Sequence, residues 1–302
     1  MTKRKQNSLF ITLDDLVSED HPYRKLDALL SFDELANPFL DIYSAKGRKE
    51  KGVSFGLRTL VLQFIEDISD REMERFLREN NSAKWFCELG LTEKTPDHSY
   101  FGDFRKRLGT KNIMAVFQRV RESLKAMGLI REVFTFVDAS HLISKLTTWD
   151  DRDRSIKAGL EKFNNDTAEK IAVDMQSGLI NKIAATSAEV TDASGLTHVC
   201  PNGGAVFGDK GYCVNPAKST LKRNGCHDAT IKKANMKGKD TEKDRWISKM
   251  RSPYERVFAH RNRRVRYRGL EKVQFQVGIR ALTFNLKRMI ILGFNNINLV
   301  PA

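Results

Sequence analysis

Val133-Phe134-Thr135-Phe136-Val137-Asp138-Ala139-Ser140 is the stretch on which the reading of this chain turns. Its first five residues, β-branched and aromatic without a charge, predict a strand buried on both faces, and the run ends on a carboxylate. A single Asp in that place is ordinary turn or cap chemistry. The pattern recurs, however, at Ala205-Val206-Phe207-Gly208-Asp209-Lys210-Gly211-Tyr212, where a second short apolar strand stops at an Asp. A third acid, Glu255, falls in a basic stretch with helical spacing. Carboxylates brought within about 4 Å repel by roughly 4 kcal/mol per pair at an effective dielectric of 20, so such a cluster needs a cation or a proton. Hard oxygen ligands suit magnesium or manganese. Two such ions roughly 3.5–4 Å apart can serve the attacking and the leaving oxygen of a phosphodiester.

Outward from that strand, Lys170 to Met175 and Leu179 to Thr186 flank the turn signal Gln176-Ser177-Gly178 and predict a hairpin. With the opening strand they make three antiparallel strands. The strand before Asp209 follows a Gly203-Gly204 turn, and Ala229-Thr230-Ile231 adds a short fifth. Residues 240 to 260 have helical spacing, with Pro253 expected to kink the helix or end its first part, and Leu270 to Phe294 is a mostly apolar helix.

Upstream, Leu13 to Val17 and His21 to Asp27 are short helical stretches, and residues 55 to 127 alternate amphipathic helices with tight turns. Ser69 followed by Glu72 has the spacing of a capping box. A helix-turn-helix DNA reader and plain helical packing give this same pattern. The expected organisation is an all-α N-terminal domain over 1–128, then an α/β domain over 129–302. The latter has a mixed five-stranded sheet flanked by helices, with a basic insertion at about 215–245.

The charge balance narrows the partners. The 302 residues carry a formal net charge of +14, which points to a polyanion, nucleic acid first and an acidic membrane surface second. Thirteen of those charges lie between Lys210 and Lys272, where nineteen Lys and Arg meet six Asp and Glu. Five arginines fall within Arg261 to Arg268. Such a surface beside two of the three acids suits a phosphate backbone.

Other classes fit poorly. Four cysteines in so long a chain make no secreted disulfide framework, and Cys213, Cys226 and His227 lack the paired spacings of a zinc site. No signal core and no run of about 18–20 apolar residues is present, so a cytoplasmic protein is expected. Asp150, Asp151 and Asp153 are rival acids, better suited to a salt-bridged loop.

These residues resemble a known family. An Asp on the first of three antiparallel strands, a second Asp after the fourth and a Glu on a following helix resemble the RNase H-like core of DDE transposases. Arg251 and Glu255 keep the R-x3-E spacing of the insertion-sequence group whose last block is Y-x2-R-x3-E-x6-K, and Asp209-Lys210-Gly211-Tyr212 matches its D-x-G-[YF] block. Asp67 to Glu72, Trp85-Phe86 and Pro96 to Ser99 resemble the helical domain preceding that core. Ser248 and Asn262 stand where the block has its Tyr and Lys, with Arg261 and Arg263 flanking the latter.

The resemblance implies that Asp138, Asp209 and Glu255 are the catalytic acids and ligate two Mg2+ ions, with Mn2+ able to substitute. It implies cleavage at the element's ends and transfer of a 3′-hydroxyl into target DNA, by a dimer or larger multimer formed on double-stranded DNA near the nucleoid. Lys210, Arg251, Arg261, Arg263, Arg264, Arg266, Arg268 and Lys272 would hold phosphates. Recognition of the terminal inverted repeats would fall to the helical domain, with the Lys218 to Lys249 insertion as a second candidate. Two alternatives remain at this stage: a nuclease of the same fold without strand transfer, and a catalytically idle DNA-binding protein.

Overall fold

Strand β1 (Phe134–Ser144) lies at the centre of the sheet and pairs on both sides. It runs on past the apolar segment, so Asp138 sits inside the strand rather than at its end. The reason is its antiparallel neighbour β2 (Thr167–Asp174), which keeps pairing out to Leu142↔Thr167. The computed structural model describes residues 11–43, 51–144, 167–259 and 264–301. The acids at 150, 151 and 153 lie outside these.

The sheet order is β3-β2-β1-β4-β5, where β3 is Ile180–Ser187, β4 Ala205–Gly208 and β5 His227–Thr230. The first three strands are antiparallel neighbours, and β1, β4 and β5 are parallel. This is the mixed RNase H-like α/β sheet, with one addition to the expected five strands: the two-residue β6 (Arg264–Val265) pairs with the far end of β1.

Local chemistry sets the register on both sides of β1. At the hairpin, one Asp174 carboxylate oxygen accepts from Gln176 N, Ser177 N and Ser177 Oγ, and Gly178 takes a φ of 74° that side chains disfavour. At the entry to β4, a Cβ on Gly204 would stand 1.9 Å from the Glu132 carbonyl oxygen. Glycine there lets the backbone draw close enough for Ala205 N to donate to Val133 O at 2.8 Å.

The two faces of the sheet are covered differently. Val137 and Val206 join a buried cluster with Leu196, Tyr212, Ala217 and Leu221. The last two belong to a helix at Asn215–Arg223, which is the crossover every parallel pair requires, here between β4 and β5. The segment expected as a basic insertion therefore begins as part of the sheet's own framework. Over the other face lies the helix Thr241–Ala259, whose Trp246 packs on Phe207 and whose Tyr254 packs on Phe136. It includes Pro253 and continues beyond it.

The last helix, Leu270–Ile291, carries polar residues for a reason the sequence conceals. Asn285 donates to and accepts from the backbone of Ile180, and Gln274 accepts from Ala185 N, so the outer edge of β3 is capped by side chains.

Two compact units result, residues 1–112 with 289–302, and residues 113–288. The division falls within the helix His98–Ala126, just after Gly109 breaks it with a φ of 69°. In the first unit the motif residues are structural. Ser69 and Glu72 form the capping box, and Asp70 receives both Arg105 Nη1 (2.8 Å) and Nη2 (2.5 Å). Phe86 is core, and Trp85 Nε1 donates to Asp14.

Candidate active site

The register Phe136↔Phe207 fixes the site. Asp138 lies two residues beyond that pair within β1, and Asp209 lies two residues beyond it just past the end of β4. Adjacent strands are about 4.8 Å apart, so both acids come at the same end of neighbouring parallel strands.

Each is anchored by a nearby backbone N–H. Ala139 N donates to Asp138 Oδ1 at 2.8 Å, and Gly211 N donates to Asp209 Oδ1 at 2.8 Å. The second bond explains the glycine of the D-x-G-Y block, because a Cβ at 211 would lie 3.0 Å from that same oxygen. The tyrosine follows from Gly208: Tyr212, 1% exposed, lays its ring where a Cβ on 208 would meet it at 3.0 Å.

Electrostatics ties the acids together. Burial pushes the Asp138 carboxyl up to about 6, with the charges of Asp209 and Asp192 adding to the rise; the Ala139 N–H and the Arg251 guanidinium oppose it. The Tyr212 hydroxyl is raised by burial and by Asp192, Asp138 and Asp209.

Asp192 is a neighbouring charge that sequence reasoning did not single out. It opens a short helix, Asp192–Gly195, and its Oδ1 lies 2.6 Å from the Nζ of Lys170, itself only 1% exposed. A lysine within the apolar run Lys170-Ile171-Ala172-Val173 was the available signal, since a buried ammonium requires an acid.

Arg251 is buried, with Cζ 5.4 Å from the centre of the Phe136 ring, so its charge is spent within the protein. Residue 255 lies one helical turn beyond Arg251 on the helix that covers this face, but its side chain is outside the described residues. So are Arg261, Asn262 and Arg263 entirely, and the side chain of Arg264. Lys210 is exposed in the turn after Asp209, Arg266 is half-buried, and Arg268 and Lys272 are exposed. Ser248, at the motif's tyrosine position, is exposed and donates to the Asp244 carbonyl. Among the described residues no group of three His, Cys, Asp or Glu is placed to hold a metal, and no helix is long and apolar enough to cross a membrane.

Two family models match. Residues 11–107 match the transposase domain DUF772, and residues 212–290 match a transposase DDE domain, so the helical unit and the segment bearing Arg251 and Glu255 both belong to transposases.

The chain belongs to the insertion-sequence DDE transposases.

DDE transposases act with divalent metal ions, and the oxygen donors at 138 and 209 suit that requirement. The DDE match begins at Tyr212, the last residue of the second aspartate block, so Asp138 and Asp209 lie before it. No curated protein matches the transposase sequence. Among solved structures, the Mos1 transposase paired-end complex with left transposon end is 7% identical over 85% of this chain and 83% of that one, with a TM-score of 0.20.

Proposed function

We propose that this transposase cuts DNA at the ends of its element and joins the freed 3′-hydroxyl to target DNA, with Asp138, Asp209 and Glu255 as the carboxylates that hold two Mg2+ ions, or Mn2+ in their place. The observation that carries this reading is the shared position of Asp138 and Asp209, two residues past Phe136↔Phe207. The residues fit a divalent cation, because burial and the charges of Asp209 and Asp192 disfavour an ionised Asp138 until positive charge arrives. When bound, the ions supply Lewis-acid stabilisation for in-line phosphoryl transfer.

The chain's own groups prepare the site. The N–H groups of Ala139 and Gly211 fix one oxygen of each aspartate, and Tyr212 packs over Gly208 beneath the second. Arg251 supplies an internal positive charge to Asp138 in place of the phosphate contact expected of it. Phosphate contacts then fall to Lys210, Arg261, Arg263, Arg264, Arg266, Arg268 and Lys272, which position the duplex without reading its bases. The helical N-terminal domain takes the terminal repeats. Assembly is a dimer or larger multimer on paired ends, acting at the nucleoid where its substrate lies.

Excision of a marked segment bounded by the gene's flanking DNA tests this in Mg2+. Wild type should excise and join the segment to a plasmid, while Asp209→Asn binds the ends and cuts nothing. Cutting without joining would replace strand transfer with simple hydrolysis, and equal cutting by the variant would remove Asp209 from the site.

A further inference from the structure

Cys200 and Cys226 stand 26 residues apart in the chain, yet their sulfurs lie 3.9 Å from each other, and both thiols are free. Each is held by its own backbone. Cys200 N donates to Leu196 O at 2.8 Å, in the turn that follows the short helix Asp192–Gly195. Cys226 N donates to Leu221 O at 2.9 Å at the end of the crossover helix, and the next residue, His227, donates to Gly204 O at 2.8 Å. The two thiols also differ in access. Cys200 is 3% exposed, within the cluster of Val206, Tyr212 and Leu221, whereas Cys226 is half-buried and packs against the edge of that cluster.

The other two cysteines are placed elsewhere. Cys213 Sγ lies 3.5 Å from Met236 Sδ, and Cys87 is fully buried in the helical unit. A disulfide needs its sulfurs about 2.05 Å apart. Rotation of the two side chains about their Cα–Cβ bonds closes that gap while the hydrogen-bonded backbones stay where they are.

We propose that Cys200 and Cys226 form a dithiol modification site, which a small-molecule disulfide such as glutathione disulfide oxidises to a disulfide within the chain. Cys226, the more accessible thiol, attacks first as its thiolate. Its sulfur bonds to one sulfur of the small disulfide, the small S–S bond breaks, and the departing thiolate recovers through water the proton that Cys226 gave up. Cys200 then attacks Cys226 Sγ, and the second small thiolate leaves with the Cys200 proton. The two protein thiols are thereby oxidised by two electrons, and the small disulfide is reduced to two thiols. Burial pushes the Cys200 thiol up to about 12, with the neighbouring Cys226 adding to the rise, so Cys200 keeps its proton until the mixed disulfide stands beside it.

The new bond closes the loop 200–226, which contains β4, Asp209, Tyr212 and the crossover helix. It ties the turn ahead of β4 to the start of β5 and braces the segment that carries the second aspartate. This inference goes beyond the transposase reading and stands whatever Asp209 binds.

The test treats reduced full-length protein with glutathione disulfide under native conditions, for wild type, Cys213→Ser, Cys200→Ala and Cys226→Ser. Peptide masses are mapped without reduction, and thermal unfolding is followed before and after treatment. Wild type and Cys213→Ser should each lose the mass of two hydrogens and yield one linked peptide pair joining Cys200 to Cys226. The oxidised protein should melt higher by about 5 °C or more, an increase reversed by dithiothreitol. Cys200→Ala should stop with the small thiol retained on Cys226, and Cys226→Ser should form no link. The wild-type map decides the matter even where a variant fails to fold. Absence of the link in wild type, a mixed disulfide that persists on its Cys226, linkage through Cys87 or Cys213, or an oxidised form that melts no higher would each overturn the proposal.

Discussion

Arginine in the helical unit and lysine in the crossover segment are put to opposite uses. Arg58 is 6% exposed, paired with Asp27 and Glu88 (2.8 Å), bonded to the Phe86 carbonyl at 3.0 Å, and set over the rings of Phe32 and Phe86. Arg105 is held by Asp70, and Arg24 by Asp14 beneath its stacking on Trp85. From Lys210 to Lys239 no such pairing is found among the described residues. A net charge of +14 is therefore not one property of the chain. Some cations hold the fold together, and others carry their charge at the surface.

The largest break in that contrast should come from Arg58→Met. Removing the buried cation leaves the Phe86 carbonyl and the part-solvated Asp27 and Glu88 without it, a loss of about 3 kcal/mol. Thermal unfolding should show the helical unit melting well below the rest, and an unchanged melt would make Arg58 a surface residue in all but position.

Asp138→Asn sharpens the contrast from the side of the acids. A carboxyl raised to about 6 in the fold, against 3.8 in the unfolded chain, favours the folded state in its protonated form. That advantage is complete below the unfolded value and lost as pH rises through about 6. The metal-free variant should thus be more stable than wild type at pH 7.5, by on the order of 3 kcal/mol, and gain little near pH 3.5. Equal melting temperatures at pH 7.5 in EDTA would show that burial and neighbouring charge do not press on this acid.

The smallest effect belongs to the crossover helix Asn215–Arg223. Lys222→Met should shift stability by no more than about 0.5 kcal/mol, because the ammonium is exposed and no ion pair holds it. A larger loss, read from denaturant unfolding, would place Lys222 among the structural cations.

Much of this was legible in the sequence because the signals were local. Alternating apolar strands, the Gln176-Ser177-Gly178 turn and the Ser69 capping box each depend on neighbours within a few residues. Long-range partners were not. Nothing near Arg251 announces the ring of Phe136, more than a hundred residues earlier, so its burial was not foreseen. Likewise the partner of the buried Lys170, Asp192, lies more than twenty residues further on. The basic segment misled in its boundaries, because charge on the outer face of the crossover helix concealed Ala217 and Leu221 beneath it. The extent of β1 was underestimated since a strand pairs through its backbone, which an Asp does not interrupt.

The most direct test of the account is a Mn2+ titration of the metal-stripped protein at pH 7.5, followed by electron paramagnetic resonance, for wild type, Asp138→Asn and Asp209→Asn. Asp138 and Asp209 as ligands of a shared site predict that wild type takes up Mn2+ and that either substitution removes at least one bound ion while the melting transition stays cooperative. Unchanged stoichiometry and affinity in both variants would contradict it.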